Sequence, residues 1–186
     1  MRRRHLRRPA VFILATLFTL LPPAPARGAD LASAPDITLT DLHGAKTRID
    51  YKGAKVTLVN FWATWCGPCR EEMPMIAKLY GQHGPSGFKA VGITVESGGV
   101  DQVLKFLRAN RDFGINYQIL LGDDDSLEKF GDVATVPTTF LFDSNGKVIK
   151  RYNGVTSNFY EKVSAEIGKH LALAAAPPKT APAPSD

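Results

Sequence analysis

The fold of this protein is decided by residues 56–70, which read VTLVNFWATWCGPCR. The first seven are almost continuously apolar and mostly β-branched or aromatic, which is typical of a strand buried on both faces. From Cys69 to Tyr80 apolar residues recur at helical spacing, so the segment predicts a buried strand that leads into a helix. Cys66 and Cys69 lie where that strand ends and the helix begins.

The flanking sequence alternates between strand and helix patterns. Strands are predicted at 37–40, 47–51, 89–95, 117–121, 138–142 and 147–152, and helices at 100–107, 125–130 and 159–171. The first two strands flank His43-Gly44, and the last two flank Asn145-Gly146, which is a strong hairpin signal. These units predict an α/β fold, a three-layer sandwich with a mixed central sheet and an N-terminal hairpin.

Both chain ends are predicted to lie outside this domain. Residues 1–29 combine five arginines at 2–8, a 12-residue apolar run at 10–21 and small residues after two prolines, which is typical of a secretory signal peptide. The run is shorter than the roughly 20 apolar residues of a membrane-spanning helix, and an uncleaved membrane anchor is the alternative. Residues 172–186 are rich in alanine and proline and predict a disordered tail, which leaves 30–171 as one domain.

The net charge of +5 comes from the N-terminal segment. Residues 1–29 hold six of the 23 lysines and arginines and no acidic residue, so the remainder has 17 basic against 18 acidic residues, a net charge of −1. A nearly neutral domain gives no electrostatic reason to expect binding to nucleic acid or to a membrane surface. Two cysteines are too few for a zinc site of three or four cysteines or for a disulfide-dense scaffold.

The spacing of the two cysteines at a helix N-terminus predicts redox chemistry. Unpaired backbone N–H groups and the helix dipole stabilise a thiolate there, and the pKa of such a cysteine can fall from about 8.5 toward about 7 or lower. Gly67 and Pro68 allow a tight turn that brings the sulfurs together. We therefore expect Cys66, at the exposed edge of the turn, to be the attacking nucleophile. Cys69, one turn inward, would resolve the mixed disulfide.

Glu72 is expected to face the dithiol. It lies three residues after Cys69 and four before Ile76, on the inward side of the same helix. A partly buried carboxyl there would have a raised pKa and could accept the proton that Cys69 must lose before it resolves. The alternative is an acidic residue that only stabilises the helix dipole.

These residues resemble a known family. The Cys-Gly-Pro-Cys site at 66–69, with Trp62 and Trp65 in a strand–helix setting, resembles thioredoxin. Residues 35–154 are more similar to the exported TlpA/ResA-type thiol–disulfide oxidoreductases, which have a hairpin before the core strand and a strand–helix insertion after the first helix. Asn60 departs from the buried aspartate of thioredoxin and matches the TlpA/ResA pattern. The resemblance implies a thioredoxin-like sandwich with that insertion.

The resemblance also implies further site residues. Val136-Pro137, just before the predicted strand 138–142, corresponds to the cis-proline loop, which would expose the Val136 backbone to an extended substrate segment. The family has glutamate where Glu72 stands, which favours the proton-accepting role. The expected substrate-binding residues are Trp65, Gly67, Pro68, Val136 and Pro137. No metal is expected, and no cofactor beyond the redox-active Cys66–Cys69 pair.

The resemblance finally implies a direction of electron flow. At a potential near that of thioredoxin, about −270 mV, the site would lie about 150 mV below the periplasmic oxidant, which favours the disulfide by about 7 kcal/mol. Such a periplasmic protein needs a membrane electron donor of the DsbD/CcdA type and oxidised protein targets. The family's targets include apocytochrome c, in cytochrome c biogenesis, and copper-site proteins. We expect a monomer that reduces exported proteins; the alternative is a metal-delivery protein that binds Cu(I) with the same dithiol.

Overall fold

The structure, a computed structural model, describes residues 31–154 and 156–175 and contains one seven-stranded sheet. The strands are β1 (Thr38–Asp41), β2 (Lys46–Arg48), β3 (Val56–Trp62), β4 (Phe88–Thr94), β5 (Gln118–Leu121), β6 (Thr138–Asp143) and β7 (Val148–Asn153). The helices are α1 (Gly67–His83), α2 (Val100–Ala109), α3 (Asp124–Lys129) and α4 (Phe159–Ala175). The predicted signal segment 1–29 and residues 176–186 of the predicted tail lie outside the described residues.

The sheet is mixed, as predicted. Its strand order is β2–β1–β5–β4–β3–β6–β7. The central strands β3, β4 and β5 run parallel, whereas β1 pairs antiparallel with β2 and β5, and β6 pairs antiparallel with β3 and β7. β1 and β2 form the predicted N-terminal hairpin, and β5 and α3 lie between α1 and β6 in the chain, where the strand–helix insertion is expected. The α/β arrangement that the resemblance implies is therefore confirmed.

β3 forms the centre of the core, and every one of its residues is buried. Because successive side chains of a strand point to opposite faces, Leu58 and Trp62 pack with α1, α2 and α4, whereas Val59 and Phe61 pack with α3 and the segment that follows it. Apolar side chains thus fill both faces of the sheet. This arrangement confirms the three-layer sandwich.

The register of the sheet brings three connecting segments to one edge. Trp62, the last residue of β3, pairs with Thr94, the last residue of β4, because these strands are parallel. β6 runs the other way, and its first residue, Thr138, pairs with Phe61. The segments that follow β3 and β4 and the segment that precedes β6 therefore meet beside the N-terminus of α1.

α4 continues four residues past the predicted end of the domain. The predicted boundary is Leu171, which is buried, but the helix ends at Ala175. Residues 172–175 are alanine and leucine, which have the highest helix propensities, so this start of the predicted disordered tail is helical instead. None of the helices within the described ranges combines the length and the hydropathy needed to cross a membrane.

We predict that Phe130→Ala lowers the free energy of unfolding by about 3–5 kcal/mol, since truncating a buried phenylalanine leaves a cavity. Phe130 is fully buried, and its ring centroid lies 5.0 Å from that of Phe61 and 5.6 Å from that of Phe140. Urea unfolding measures the change. Leu173→Ala is the control, because Leu173 is 61% exposed on α4. Equal unfolding free energies for the two variants would contradict the role given to Phe130.

Candidate active site

Cys66 and Cys69 form a disulfide at the N-terminus of α1. Cys66 is the N-cap residue with an extended backbone, and its Sγ accepts a hydrogen bond from the Cys69 N–H at 3.2 Å. Pro68 occupies the first turn, where its missing N–H removes no helical hydrogen bond. A thiolate formed at Cys66 by reduction would therefore face a backbone N–H and the positive end of the helix dipole.

Both cysteine side chains are more enclosed than the sequence predicts. Cys66 is 4% exposed and Cys69 is 1% exposed, so the exposed position expected for Cys66 is wrong for the disulfide form. The S–S bond ties the Cys66 sulfur to that of Cys69, which is itself buried. The residues around it, Trp65, Gly67 and Pro68, are exposed and leave the rim of the site open.

The loop after β4 holds Trp65 beside Cys66. Trp65 is 62% exposed, yet its indole Nε1 donates a hydrogen bond to the Glu96 carbonyl oxygen at 3.1 Å. The neighbouring Thr64 N–H donates to the Ser97 Oγ at 3.1 Å, and the Thr94 Oγ1 lies 2.7 Å from the same Ser97 Oγ. Trp65 is therefore a fixed apolar surface next to the disulfide. Sequence reasoning missed the roles of Glu96 and Ser97, because no motif marks them.

The Val136–Pro137 peptide bond is cis, as the resemblance implies. Pro137 is buried, and its carbonyl oxygen accepts a hydrogen bond from the Gly154 N–H at 2.7 Å. The Thr138 hydroxyl donates to the Thr135 carbonyl oxygen at 2.7 Å. These contacts attach the loop to the start of β6 and the end of β7, at the sheet edge that carries the disulfide.

A groove joins two of the predicted substrate-binding residues. Trp65 and Val136 line it together with Val95, Glu96, Leu127 and residues 133–135, and its volume is about 310 Å³. The lining is mainly apolar. Gly67 and Pro68 do not line this groove. Both residues are exposed at the rim of the disulfide.

Glu72 lies on the inward face of α1, one turn after Cys69, as predicted. It is 6% exposed, and no other carboxyl side chain among the described residues is buried. Burial, with a smaller contribution from the negative charge of Glu71, raises the pKa of Glu72 to about 7. Asn60, where thioredoxin has a carboxyl, is neutral and donates to the Thr139 Oγ1 at 2.9 Å. Glu72 is therefore a buried carboxyl, one turn after Cys69, whose pKa lies near neutral pH.

In the part of the chain that the structure describes, no three histidine, cysteine, aspartate or glutamate side chains lie close enough together to hold a metal ion. No such group therefore includes Cys66 and Cys69 among the described residues.

We predict that Glu72 makes folding stability depend on pH. The pKa of Glu72 is raised from the ordinary value of 4.5 to about 7 in the fold, so the fold favours the protonated carboxyl. The stability that the protonated Glu72 carboxyl contributes to the fold is fully present below about pH 4.5 and is lost as the pH rises through about 7. The free energy of unfolding of the oxidised wild type should therefore fall by up to about 3 kcal/mol relative to that of Glu72→Gln between pH 4.5 and pH 8.

Urea unfolding at several pH values measures this difference. Glu128→Gln, at an exposed position on α3, is the control and should track the wild type. If the unfolding free energies of the wild type and Glu72→Gln differed by a constant amount across this pH range, burial would not perturb the pKa of Glu72.

Comparison with solved structures supports the fold. A crystal structure of a thiol:disulfide interchange protein of the thioredoxin family from Chlorobium tepidum superposes with a TM-score of 0.64 at 26% sequence identity. The alignment covers 80% of this chain and 99% of that chain. The likeness therefore extends over nearly all of the solved protein.

Sequence comparison gives the family. Residues 32–151 match the AhpC/TSA family. The thiol-disulfide oxidoreductase ResA of Geobacillus kaustophilus is 41% identical over 141 residues, which is 75% of each chain. The ResA protein of Geobacillus thermodenitrificans is 40% identical over 124 residues, covering 66% of this chain and 68% of the relative. The chain therefore belongs to the AhpC/TSA family of the thioredoxin superfamily and is a thiol–disulfide oxidoreductase similar to ResA.

Proposed function

We propose that this oxidoreductase works outside the cytoplasm, in the periplasm, and reduces disulfides in exported proteins. The observation that carries the proposal is the position of the Cys66–Cys69 disulfide, at a helix N-terminus and next to Trp65, which lines a mainly apolar groove. A helix N-terminus favours the thiolate, and a groove open at the surface leaves room for a polypeptide segment.

The first step is attack by Cys66 on the target. In the reduced protein the Cys66 thiolate forms a bond to one sulfur of the target disulfide, and the other target sulfur leaves as a thiolate. The Cys69 N–H, which donates to the Cys66 sulfur at 3.2 Å in the disulfide form, is placed to stabilise the attacking thiolate. The product is a mixed disulfide between Cys66 and the target.

The second step is resolution by Cys69. The Cys69 thiol must lose its proton, and we assign Glu72 as the acceptor because it lies one turn away and its pKa is about 7. The Cys69 thiolate then attacks the Cys66 sulfur and releases the second target thiolate. Two electrons have passed to the target, and the chain returns to the Cys66–Cys69 disulfide.

We assign alignment of the substrate to the groove and its rim. Trp65 and Val136 both line the groove, and the Trp65 indole is held by its hydrogen bond to the Glu96 carbonyl oxygen. An extended target segment would pair with the Val136 backbone, whose conformation is set by Pro137. Gly67 and Pro68 carry little side-chain bulk and would let the target disulfide approach Cys66.

The location and partners follow from the N-terminal sequence pattern and from redox balance. Residues 1–29 have the pattern of a secretory signal peptide, or of an uncleaved anchor. Because an oxidising compartment favours the disulfide, we propose a membrane electron donor of the DsbD/CcdA type that re-reduces the site. The proposed substrates are oxidised exported proteins, such as apocytochrome c or copper-site proteins, and we propose that the chain acts as a monomer.

We predict that Cys69→Ser traps the target as a stable mixed disulfide, because Cys66 can still attack but no thiol remains to resolve it. A slower band on non-reducing gels, lost on addition of dithiothreitol, measures the trapping. Cys66→Ser should form no adduct, and neither variant should turn over insulin disulfides.

Three outcomes would contradict the proposal. Undiminished insulin reduction by Cys69→Ser would remove the resolving role of Cys69, and an adduct on Cys69 in Cys66→Ser would reassign the nucleophile. Stoichiometric, tight Cu(I) binding by the wild type without reduction of insulin would favour a metal-delivery protein that uses the same dithiol.

A further inference from the structure

The connection between β3 and α1, residues 63–66, is held from outside by the segment that follows β4. The Val95 N–H donates a hydrogen bond to the carbonyl oxygen of Trp62, the last residue of β3, at 2.9 Å. Two residues further along, the Ser97 Oγ accepts a hydrogen bond from the Thr64 N–H at 3.1 Å. The end of β4 is therefore attached to the backbone of the connection that carries the nucleophile.

The Ser97 hydroxyl uses all of its hydrogen-bonding capacity at this point. A serine hydroxyl has one O–H donor and two acceptor lone pairs. The O–H donates to the Val95 carbonyl oxygen at 2.9 Å, and the Oγ accepts from the Thr94 hydroxyl at 2.7 Å and from the Thr64 N–H at 3.1 Å. Because Ser97 is only 9% exposed, alanine at this position would leave two donors and one acceptor without their partner in a place that is shielded from water.

Glu96 lies between these two anchored residues in a strained backbone conformation. Its φ of 47° falls in the left-handed region, which residues with a Cβ rarely adopt and which persists only where the surrounding contacts enforce it. Val95 and Ser97 supply such contacts on both sides. In this conformation the Glu96 carbonyl oxygen accepts the hydrogen bond of the Trp65 indole N–H at 3.1 Å.

The Trp65 indole is the group that gains from this arrangement. Its side chain is 62% exposed and lines the groove beside the disulfide together with Val136. An exposed side chain that is free to change rotamer loses conformational entropy when a target orders it, which weakens binding. An indole that is already held in one position avoids most of that loss.

We propose that Ser97 is a positioning residue for target binding. Its hydroxyl holds the β3–α1 connection against the end of β4 and fixes the backbone of Glu96, so that the Trp65 indole is ordered before a target arrives. This inference rests on the proposed function, in which the target segment lies against Trp65. Ser97 itself takes no part in the transfer of electrons or protons.

The direct test is the ¹⁵N NMR order parameter of the Trp65 Nε1–H group in the oxidised full chain, with Trp65→Phe used to assign the signal. We expect about 0.85, as in rigid backbone, for the wild type and less than about 0.6 for Ser97→Ala. The fully buried Trp62 indole is the internal reference and should not change. Asn110→Ala is the matched control, because it also removes a side-chain hydrogen bond to a backbone carbonyl group, at 2.7 Å, but at the far end of α2.

An unchanged order parameter of the Trp65 indole in Ser97→Ala, or an equal fall in Asn110→Ala, would overturn the proposal. Because this measurement needs no substrate, it remains decisive even if the chain fails to reduce exported proteins. A failure of the proposed function is thus distinguishable from a failure of this inference.

The kinetics of insulin reduction give a second readout. Ser97→Ala should raise KM about fivefold, the factor that corresponds to one net hydrogen bond, and should leave kcat unchanged. In a Trp65→Phe background, which lacks the indole N–H, Ser97→Ala should raise KM no further. A fall in kcat without a rise in KM, or a fivefold rise in KM that persists in that background, would assign Ser97 a merely structural role.

Trp65→Phe keeps the proposal falsifiable if Ser97→Ala does not fold. Because Trp65 is exposed, this substitution leaves the core intact, and it retains an aromatic ring while it removes the hydrogen bond to Glu96. The single variant should therefore also raise KM. An unchanged KM in Trp65→Phe would show that a fixed indole does not contribute to target binding and would overturn the role given to Ser97.

Discussion

The junction between β3 and α1 is the constraint on which the rest of the structure depends. β3 is buried on both faces, so it cannot shift without exposing apolar side chains, and α1 begins five residues after β3 ends. Cys66 is thereby held as the N-cap residue, with the Cys69 N–H donating to its sulfur. The reactivity of Cys66 thus follows from backbone geometry that the core itself maintains.

In the proposed mechanism the second cysteine depends on a buried carboxyl, and this links stability to reactivity. A carboxyl with an ordinary pKa would be a weak proton acceptor at neutral pH, whereas burial brings the pKa of Glu72 to about 7. The same burial makes the ionised carboxyl costly for the fold.

Local patterns in the sequence were sufficient for much of the site. The apolar run of β3 predicts the strand, the position of the cysteines predicts the helix start, and the spacing of Glu72 from Cys69 predicts its inward direction. The contacts that fix the surroundings of the disulfide join residues that lie far apart in the chain. Trp65 is held by Glu96, 31 residues later, and Thr64 is held by Ser97 in the same segment. No periodicity or motif encodes such pairings, because they depend on strand order and register.

The central claim is that the Cys66–Cys69 site is a reductant that an oxidising compartment would leave oxidised without a supply of electrons. Its reduction potential, measured by equilibration with glutathione buffers and quantified from the reduced and oxidised fractions, tests this most directly. The account predicts a value close to that of thioredoxin, about −270 mV. A value near about −120 mV, that of the strong periplasmic oxidant, would contradict it and make the protein an oxidase of its targets.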